Sequence, residues 1–139
     1  MNVFTYGSLM YPQVWDRVVR GRYRSATARL AGFRRRALIG ASYPAAIPDP
    51  AALIRGRLYF DVSPDDLVRL DAFEADEYRR DEVDVQVDVD GESVPARAQV
   101  YVYLVESRLA PQDWDVARFE RDHLADFAHR HGAAGGPRD

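Results

Sequence analysis

The stretch from Tyr78 to Val105 constrains the fold more than any other part of the chain. Val83, Val85, Val87 and Val89 alternate with Asp84, Gln86 and Asp88, a two-residue period that puts apolar and polar side chains on opposite faces of an extended strand. Asp90-Gly91 follows at once, a pair that suits a two-residue hairpin because both residues tolerate positive φ. A second strand is expected from about Val94 to Val105. This antiparallel pair should be central to a sheet.

Around that ladder the other elements can be placed. Residues 2–6 read as a short buried strand, and Pro12 opens a helical stretch that clusters Val14, Trp15, Val18 and Val19 and ends at Gly21. From Tyr23 to Ile39 the pattern favours strands around a turn at Ala31-Gly32. Gly40 to Pro50 carries three prolines and reads as an irregular, pocket-side loop. Leu53 to Val62 is expected as a strand interrupted at Gly56. Ser63-Pro64-Asp65-Asp66 is a strong helix start, with a hydroxyl cap, a first-turn proline and acids beside the positive dipole end. Leu67, Leu70 and Phe73 give that helix an apolar face, and it should yield to strand near Ala75. Pro111 to Arg130 reads as helical, and a frayed tail is expected over 132–139, leaving one domain over 1–131. Strands and helices do not alternate regularly enough for a doubly wound sheet. The expected class is therefore α+β, a single domain with a mixed or barrel-like sheet.

Composition narrows the chemistry. The 139 residues suffice for one core and a closed pocket. Nineteen basic residues against twenty-two acidic ones give a net charge of −3, spread along the whole length, which disfavours nucleic acid as a partner. Cysteine is absent, so thiolate nucleophiles and disulfides are excluded, and lysine is absent too, which removes Schiff-base and Walker-type lysine chemistry. No apolar run approaches the ~20 residues needed to span a bilayer, and a cytoplasmic protein is the expectation.

Two segments carry the chemical signal. In Val3-Phe4-Thr5-Tyr6-Gly7-Ser8-Leu9 a short apolar strand runs into a turn whose glycine sits beside a hydroxyl, and such a turn can aim backbone N–H groups at an anion. Some seventy residues on, Leu70-Asp71-Ala72-Phe73-Glu74 places a carboxylate at the end of an apolar helical face, before Tyr78-x-Arg80-x-x-Val83-x-Val85. Taken in order, and with the loop from Tyr43-Pro44 to Pro48-x-Pro50 and with Gly56-x-Leu58-Tyr59, these segments resemble the gamma-glutamylcyclotransferase-like family, which includes gamma-glutamylamine cyclotransferase and the AIG2-like proteins. The similarity runs from residue 3 to about 105.

The resemblance implies a small barrel-like mixed sheet flanked by helices, and a cofactor-free, metal-free reaction. A gamma-glutamyl amine attacks its own side-chain amide, releasing 5-oxoproline and an amine. By the same resemblance Glu74 is the catalytic proton shuttle. The Tyr6, Gly7, Ser8 and Leu9 turn binds the gamma-glutamyl portion, and Tyr103 stands where relatives place a substrate-contacting tyrosine. If the helix ends near Glu74, the negative dipole end and Asp71 both favour the protonated acid, whereas Arg79 or Arg80 would pull the other way by pairing with it. The expected partner is a small gamma-glutamyl compound, with no nucleic acid or membrane; the leaving group and the oligomeric state are left open. The rival reading is a non-catalytic small-carboxylate binding or interaction module on the same fold, and a third replaces the internal amine with water.

Other residues are less suggestive. Ser8 lacks the second glycine of a nucleophile elbow, and His123, His129 and His131 lie far from it in sequence and do not share a helical face. Tyr78 is a weaker pocket candidate than Tyr103. Arg34-Arg35-Arg36 must split between the faces of a strand and receives no role.

Overall fold

The computed structural model describes residues 1–129; His131 and the tail expected over 132–139 lie outside them. In chain order the elements are β1 (Val3–Thr5), α1 (Pro12–Val18), β2 (Ser25–Leu38), β3 (Ala45–Tyr59), α2 (Pro64–Glu74), β4 (Tyr78–Val89), β5 (Glu92–Tyr103), β6 (Leu109–Asp113), α3 (Val116–Asp122) and α4 (Leu124–Phe127). Single 3₁₀ turns occupy Ser8–Met10, Ala75–Glu77 and Glu106–Arg108.

The Asp90-Gly91 hairpin forms as its chemistry demands, with φ of 51° and 81°. From it β4 and β5 pair without a register shift from Val89↔Glu92 to Tyr78↔Tyr103. The six strands follow the order β3-β1-β5-β4-β2-β6, and β2 also pairs with β3, so five of them close into a ring with β6 appended to the far end of β2. One pairing, β1 with β5, is parallel and the rest are antiparallel, which makes the sheet mixed. Closure satisfies the backbone groups that edge strands would expose. The fold is thus a single-domain α+β barrel-like sheet, flanked among the described residues by four helices.

Alternation along the strands divides the core in two. Phe4, Leu30, Ile54, Leu58, Val85 and Val100, drawn from all five ring strands, pack with one another inside the ring. Val3, on the opposite face from Phe4, joins Trp15, Tyr59, Leu70, Phe73 and Phe119 beneath the helices. There Trp15 stacks on Tyr59 at a centroid distance of 3.6 Å. The ring is tight where β1 crosses β3. A Cβ on Gly56 would lie 2.1 Å from the Thr5 carbonyl oxygen and 2.8 Å from the Phe4 ring.

The helix start at Ser63 is as its residues imply: the hydroxyl accepts the Asp66 N–H and Pro64 fills the first turn. Asp66 has a further duty. Its buried carboxylate accepts the N–H groups of Arg20 and Gly21, the Tyr23 hydroxyl at 2.6 Å and the Arg69 guanidinium at 2.7 Å, tying α2 to the segment after α1.

Several boundaries differ from those read off the sequence. Tyr23 to Ile39 is not a turn between strands. β2 runs straight through Ala31-Gly32, and Gly32, at φ 85°, sits at a register shift against β3 instead of reversing the chain. The loop expected over Gly40 to Pro50 is irregular only as far as Pro44; Ala45 begins β3, whose Pro48 pairs beside that same irregular stretch, where ladder bonds are already interrupted. Gly56 does not interrupt β3 but lets β1 approach it. α1 stops at Val18, before Gly21. Pro111 is in β6, not in a helix, because side chains of β2 hold that segment: Arg36 donates two bonds to the Ala110 carbonyl and Arg34 pairs with Asp113.

Candidate active site

Both chemical segments end at one hollow. β1 carries Phe4 and Thr5 to its rim and the chain then turns at Gly7 into the Ser8–Met10 turn, whose first internal bond is from the Met10 N–H to the Gly7 carbonyl at 3.0 Å. The N–H groups of Ser8 and Leu9 precede that first donor and have no acceptor within the turn. Across the hollow, Glu74 is the last residue of α2, placed by the packing of Leu67, Leu70 and Phe73 against the helix-covered core. The residue is only 9% exposed. Glu74 lines the same pocket as Thr5, Tyr6, Gly7, Ser8 and Leu9, with Tyr43, Pro44, Tyr78 and Tyr101 completing the walls. Its space is about 20 Å³, close to that of one water.

The walls are fixed by hydrogen bonds whose partners are distant in sequence. The Tyr6 hydroxyl donates to the Tyr101 carbonyl at 2.5 Å, and the Tyr78 hydroxyl donates to the Pro44 carbonyl at 2.7 Å. Gly7 is required by its neighbour: a Cβ there would lie 2.7 Å from the Pro44 ring. Arg35 holds the turn from behind, donating to the Tyr6 carbonyl at 2.9 Å and the Arg55 carbonyl at 3.1 Å while its guanidinium lies over Trp114.

The two arginines that follow Glu74 at the start of β4 have carboxylate partners of their own. Arg79 pairs with Asp81 at 2.8 Å, and Arg80 pairs with Asp71 at 2.9 Å while donating to the Gln99 side chain. Asp71 also accepts the Tyr101 hydroxyl at 2.7 Å. Burial, then that hydrogen bond, then the charges of Glu74 and Asp71 push the Tyr101 hydroxyl far above the ordinary phenol range. Its one proton therefore stays on the oxygen and is committed to Asp71, within electrostatic reach of Glu74.

The structure brings Tyr6, Gly7, Ser8, Leu9 and Glu74 together. Tyr103 is elsewhere: its hydroxyl donates to Glu77 at 2.9 Å, its ring packs against Tyr78, and the wall position belongs to Tyr101 two residues earlier on the same face of β5. Tyr78 does line the pocket. Tyr43 and Pro44, in the segment read as a pocket-side loop, line it as well, and Trp114 steadies that segment by donating to the Ser42 carbonyl at 2.8 Å. Arg35 and Tyr101 were not singled out by sequence. Only the pocket-side pairing of strands, which no local pattern reveals, gives them their places.

A family model described as gamma-glutamyl cyclotransferase, AIG2-like, matches residues 3–116, from β1 to the start of α3 and so through every residue of the pocket. The chain belongs to the gamma-glutamyl cyclotransferase, AIG2-like family. Among its relatives, AIG2-like protein D of Arabidopsis thaliana is 31% identical over 129 residues, covering 91% of this chain and 83% of that protein. A second Arabidopsis thaliana protein, known from its solution structure, has a TM-score of 0.69 at 27% identity, covering 92% of this chain and 85% of that one. A yeast gamma-glutamyl cyclotransferase described as specific to glutathione shares the fold, with a TM-score of 0.62 at 16% identity over 81% of this chain and 73% of its own. No helix of the described residues is long and apolar enough to cross a membrane.

Proposed function

We propose that this chain is a cofactor-free cyclotransferase that releases 5-oxoproline from a gamma-glutamyl amide, with Glu74 as general acid and base. The observation that carries the reading is a buried carboxylate lining one small pocket with the Tyr6–Leu9 turn. The enzyme's tasks are limited because nucleophile and electrophile share one molecule: the protein folds the substrate into attack geometry and moves protons.

The Ser8 and Leu9 N–H groups hold the gamma-glutamyl portion. Glu74 takes a proton from the alpha-ammonium, and the freed amine attacks the gamma-carbonyl carbon to form the ring C–N bond. The carbonyl oxygen carries the charge of the tetrahedral adduct, facing the N–H groups of the Tyr6–Leu9 turn. As the adduct collapses, the bond to the departing nitrogen breaks and Glu74 returns its proton to that nitrogen; the carboxylate so regenerated takes the second proton of the ring nitrogen and passes it to the released amine, which leaves as its ammonium. The gamma-glutamyl portion is larger than the present space of about 20 Å³, so binding requires the pocket to open.

Glu74→Gln tests this, because the amide keeps the volume and loses the proton-transfer capacity. The purified protein would be incubated with a panel of gamma-glutamyl compounds and 5-oxoproline followed by mass spectrometry. The expected loss is roughly 10²–10⁴-fold, the usual contribution of general acid–base catalysis. Undiminished turnover in the variant removes Glu74 from the mechanism. Glutamate as product would point to water as the nucleophile, and saturable binding without turnover on any compound would point to a carboxylate-binding module.

A further inference from the structure

A second concavity lies on the outer face of the β2–β3 ladder, between that face and the segments around α1 and α3. Its volume is about 780 Å³, within the range of small-molecule sites. Arg29, Arg35, Arg55 and Arg57 line it, opposed by two carboxylates, Asp88 and Glu120. Its formal charge is thus about +2 in a chain whose net charge is −3.

The pairing of these charges is uneven. Arg29 stands directly across the ladder from Arg55, and like charges in that relation repel. Asp88 neutralises Arg29 at 3.0 Å, and Glu120 accepts the Tyr11 hydroxyl. Neither Arg55 nor Arg57 pairs with a carboxylate among the described residues; Arg57 donates to the Ser25 hydroxyl, and Arg55 is exposed. Arg35 bonds two backbone carbonyls through one guanidinium nitrogen and makes no carboxylate hydrogen bond among the described residues. Arg55 and Arg57 share one face of β3, two residues apart, so their backbone origins are about 6–7 Å apart. Met10, Tyr11, Pro12 and Val116 supply an apolar flank to the same concavity.

We infer that this groove binds a small organic dianion, its two acidic groups taken by Arg55 and Arg57 and its carbon chain lying against the Met10–Pro12 flank. A dicarboxylate with three carbons between its acids spans the arginine spacing. A compact single anion engages one arginine at a time, and a monocarboxylate leaves the second unpaired. None of the four arginines lines the pocket that holds Glu74, so this site is separate from the one assigned to the cyclisation.

The test is an amide NMR titration of the full chain with glutarate, inorganic phosphate and butyrate. The expected result is saturable binding of glutarate at least tenfold tighter than butyrate or phosphate, with the largest shifts at Arg55, Arg57 and Met10. Arg55→Gln and the double variant Arg55→Gln, Arg57→Gln should weaken it at least tenfold, with an unchanged amide spectrum away from the groove reporting an intact fold. Glutarate binding no tighter than butyrate or phosphate, shifts centred on Ser8 and Glu74 instead, or affinity retained in the double variant would each overturn the assignment. Glu74→Gln should leave this binding unaltered, so the result stands or falls independently of the cyclisation chemistry.

Discussion

Replacing Gly56 by alanine tests the tightest point of the barrel. The added Cβ would begin 2.1 Å from the Thr5 carbonyl oxygen, whereas a relaxed carbon–oxygen contact lies at about 3.3 Å or beyond, so something must yield by about 1.2 Å. The Phe4 ring, at 2.8 Å, blocks retreat toward the interior. Overpacking in a core costs about 1–3 kcal/mol when side chains can adjust. Here the obstacle is backbone, and Thr5 is also held through the bond its hydroxyl donates to the Arg57 carbonyl at 2.7 Å, so the cost should fall near about 3 kcal/mol. With a urea slope of about 2 kcal/mol/M the midpoint should drop by about 1.5 M, and a thermal midpoint should fall by about 10 °C. Gly32→Ala is the control. That position has φ 85° but nothing within 4 Å of an added Cβ, so only the left-handed strain of about 1–2 kcal/mol applies. Equal urea midpoints for Gly56→Ala and wild type, with equal slopes, would refute the crossing of β1 and β3 described above. Losses of the same size at both glycines would show that the contact with Thr5 is not what matters.

Two further outcomes follow from side chains that tie segments together. Burial by itself would raise the Asp66 acid, but bonds from Tyr23, from the Arg20 and Gly21 N–H groups and from Arg69 outweigh it and bring it down from 3.8 to about 2. A carboxyl depressed in the folded state stabilises above its unfolded pKa and loses that contribution as pH falls from about 4 through about 2, so the thermal deficit of Asp66→Asn should be full at pH 7 and shrink over that window; a deficit independent of pH would refute the network. Arg35→Gln should destabilise by about 2 kcal/mol, since charged hydrogen bonds to the Tyr6 and Arg55 carbonyls are lost, and should raise KM for a gamma-glutamyl substrate; unchanged stability in urea would show that Arg35 does not hold the turn.

The parts of this structure that were legible in the sequence are those whose signals are local. The valine alternation and Asp90-Gly91 dictate the β4–β5 hairpin, and Ser63-Pro64 with its following acids dictates the start of α2. What was not legible depends on partners far along the chain. Ala31-Gly32 is good turn chemistry, yet β3 pairs with residues on both sides of it and turns the glycine into a bulge. β6 has no alternation of its own; Arg34 and Arg36 recruit it from seventy-odd residues away. The same distinction governs the site. Glu74 and the Tyr6–Leu9 turn were singled out by resemblance, since either alone reads as an ordinary helix end or an ordinary turn. Choosing Tyr101 over Tyr103 requires the knowledge that Tyr103 faces Tyr78 and Glu77 across the ladder, a fact of register.

The junction after Glu74 joins stability to function at a single peptide. Ala75 closes α2 with φ 61° and ψ −159°, a conformation that is essentially reserved for glycine, and its N–H caps the helix on the Asp71 carbonyl. A Cβ in that region costs about 1–3 kcal/mol, and the chain keeps it directly after the residue proposed to move protons. The strained residue forces α2 to stop at Glu74 and sends the chain at once into the 3₁₀ turn before β4, so the carboxylate has few alternative positions. Ala75→Gly separates the two roles. It should relieve about 2 kcal/mol of strain and return about 0.4–1 kcal/mol through the greater freedom of glycine in the unfolded chain, for a net stabilisation of about 1 kcal/mol in urea unfolding. The same freedom should loosen Glu74, lowering kcat for 5-oxoproline release while leaving the pocket's lining intact. A variant that is less stable than wild type would show that Ala75 is not strained, and one that is more stable and equally active would show that the constraint on Glu74 comes from the packing of α2 and not from the residue that ends it.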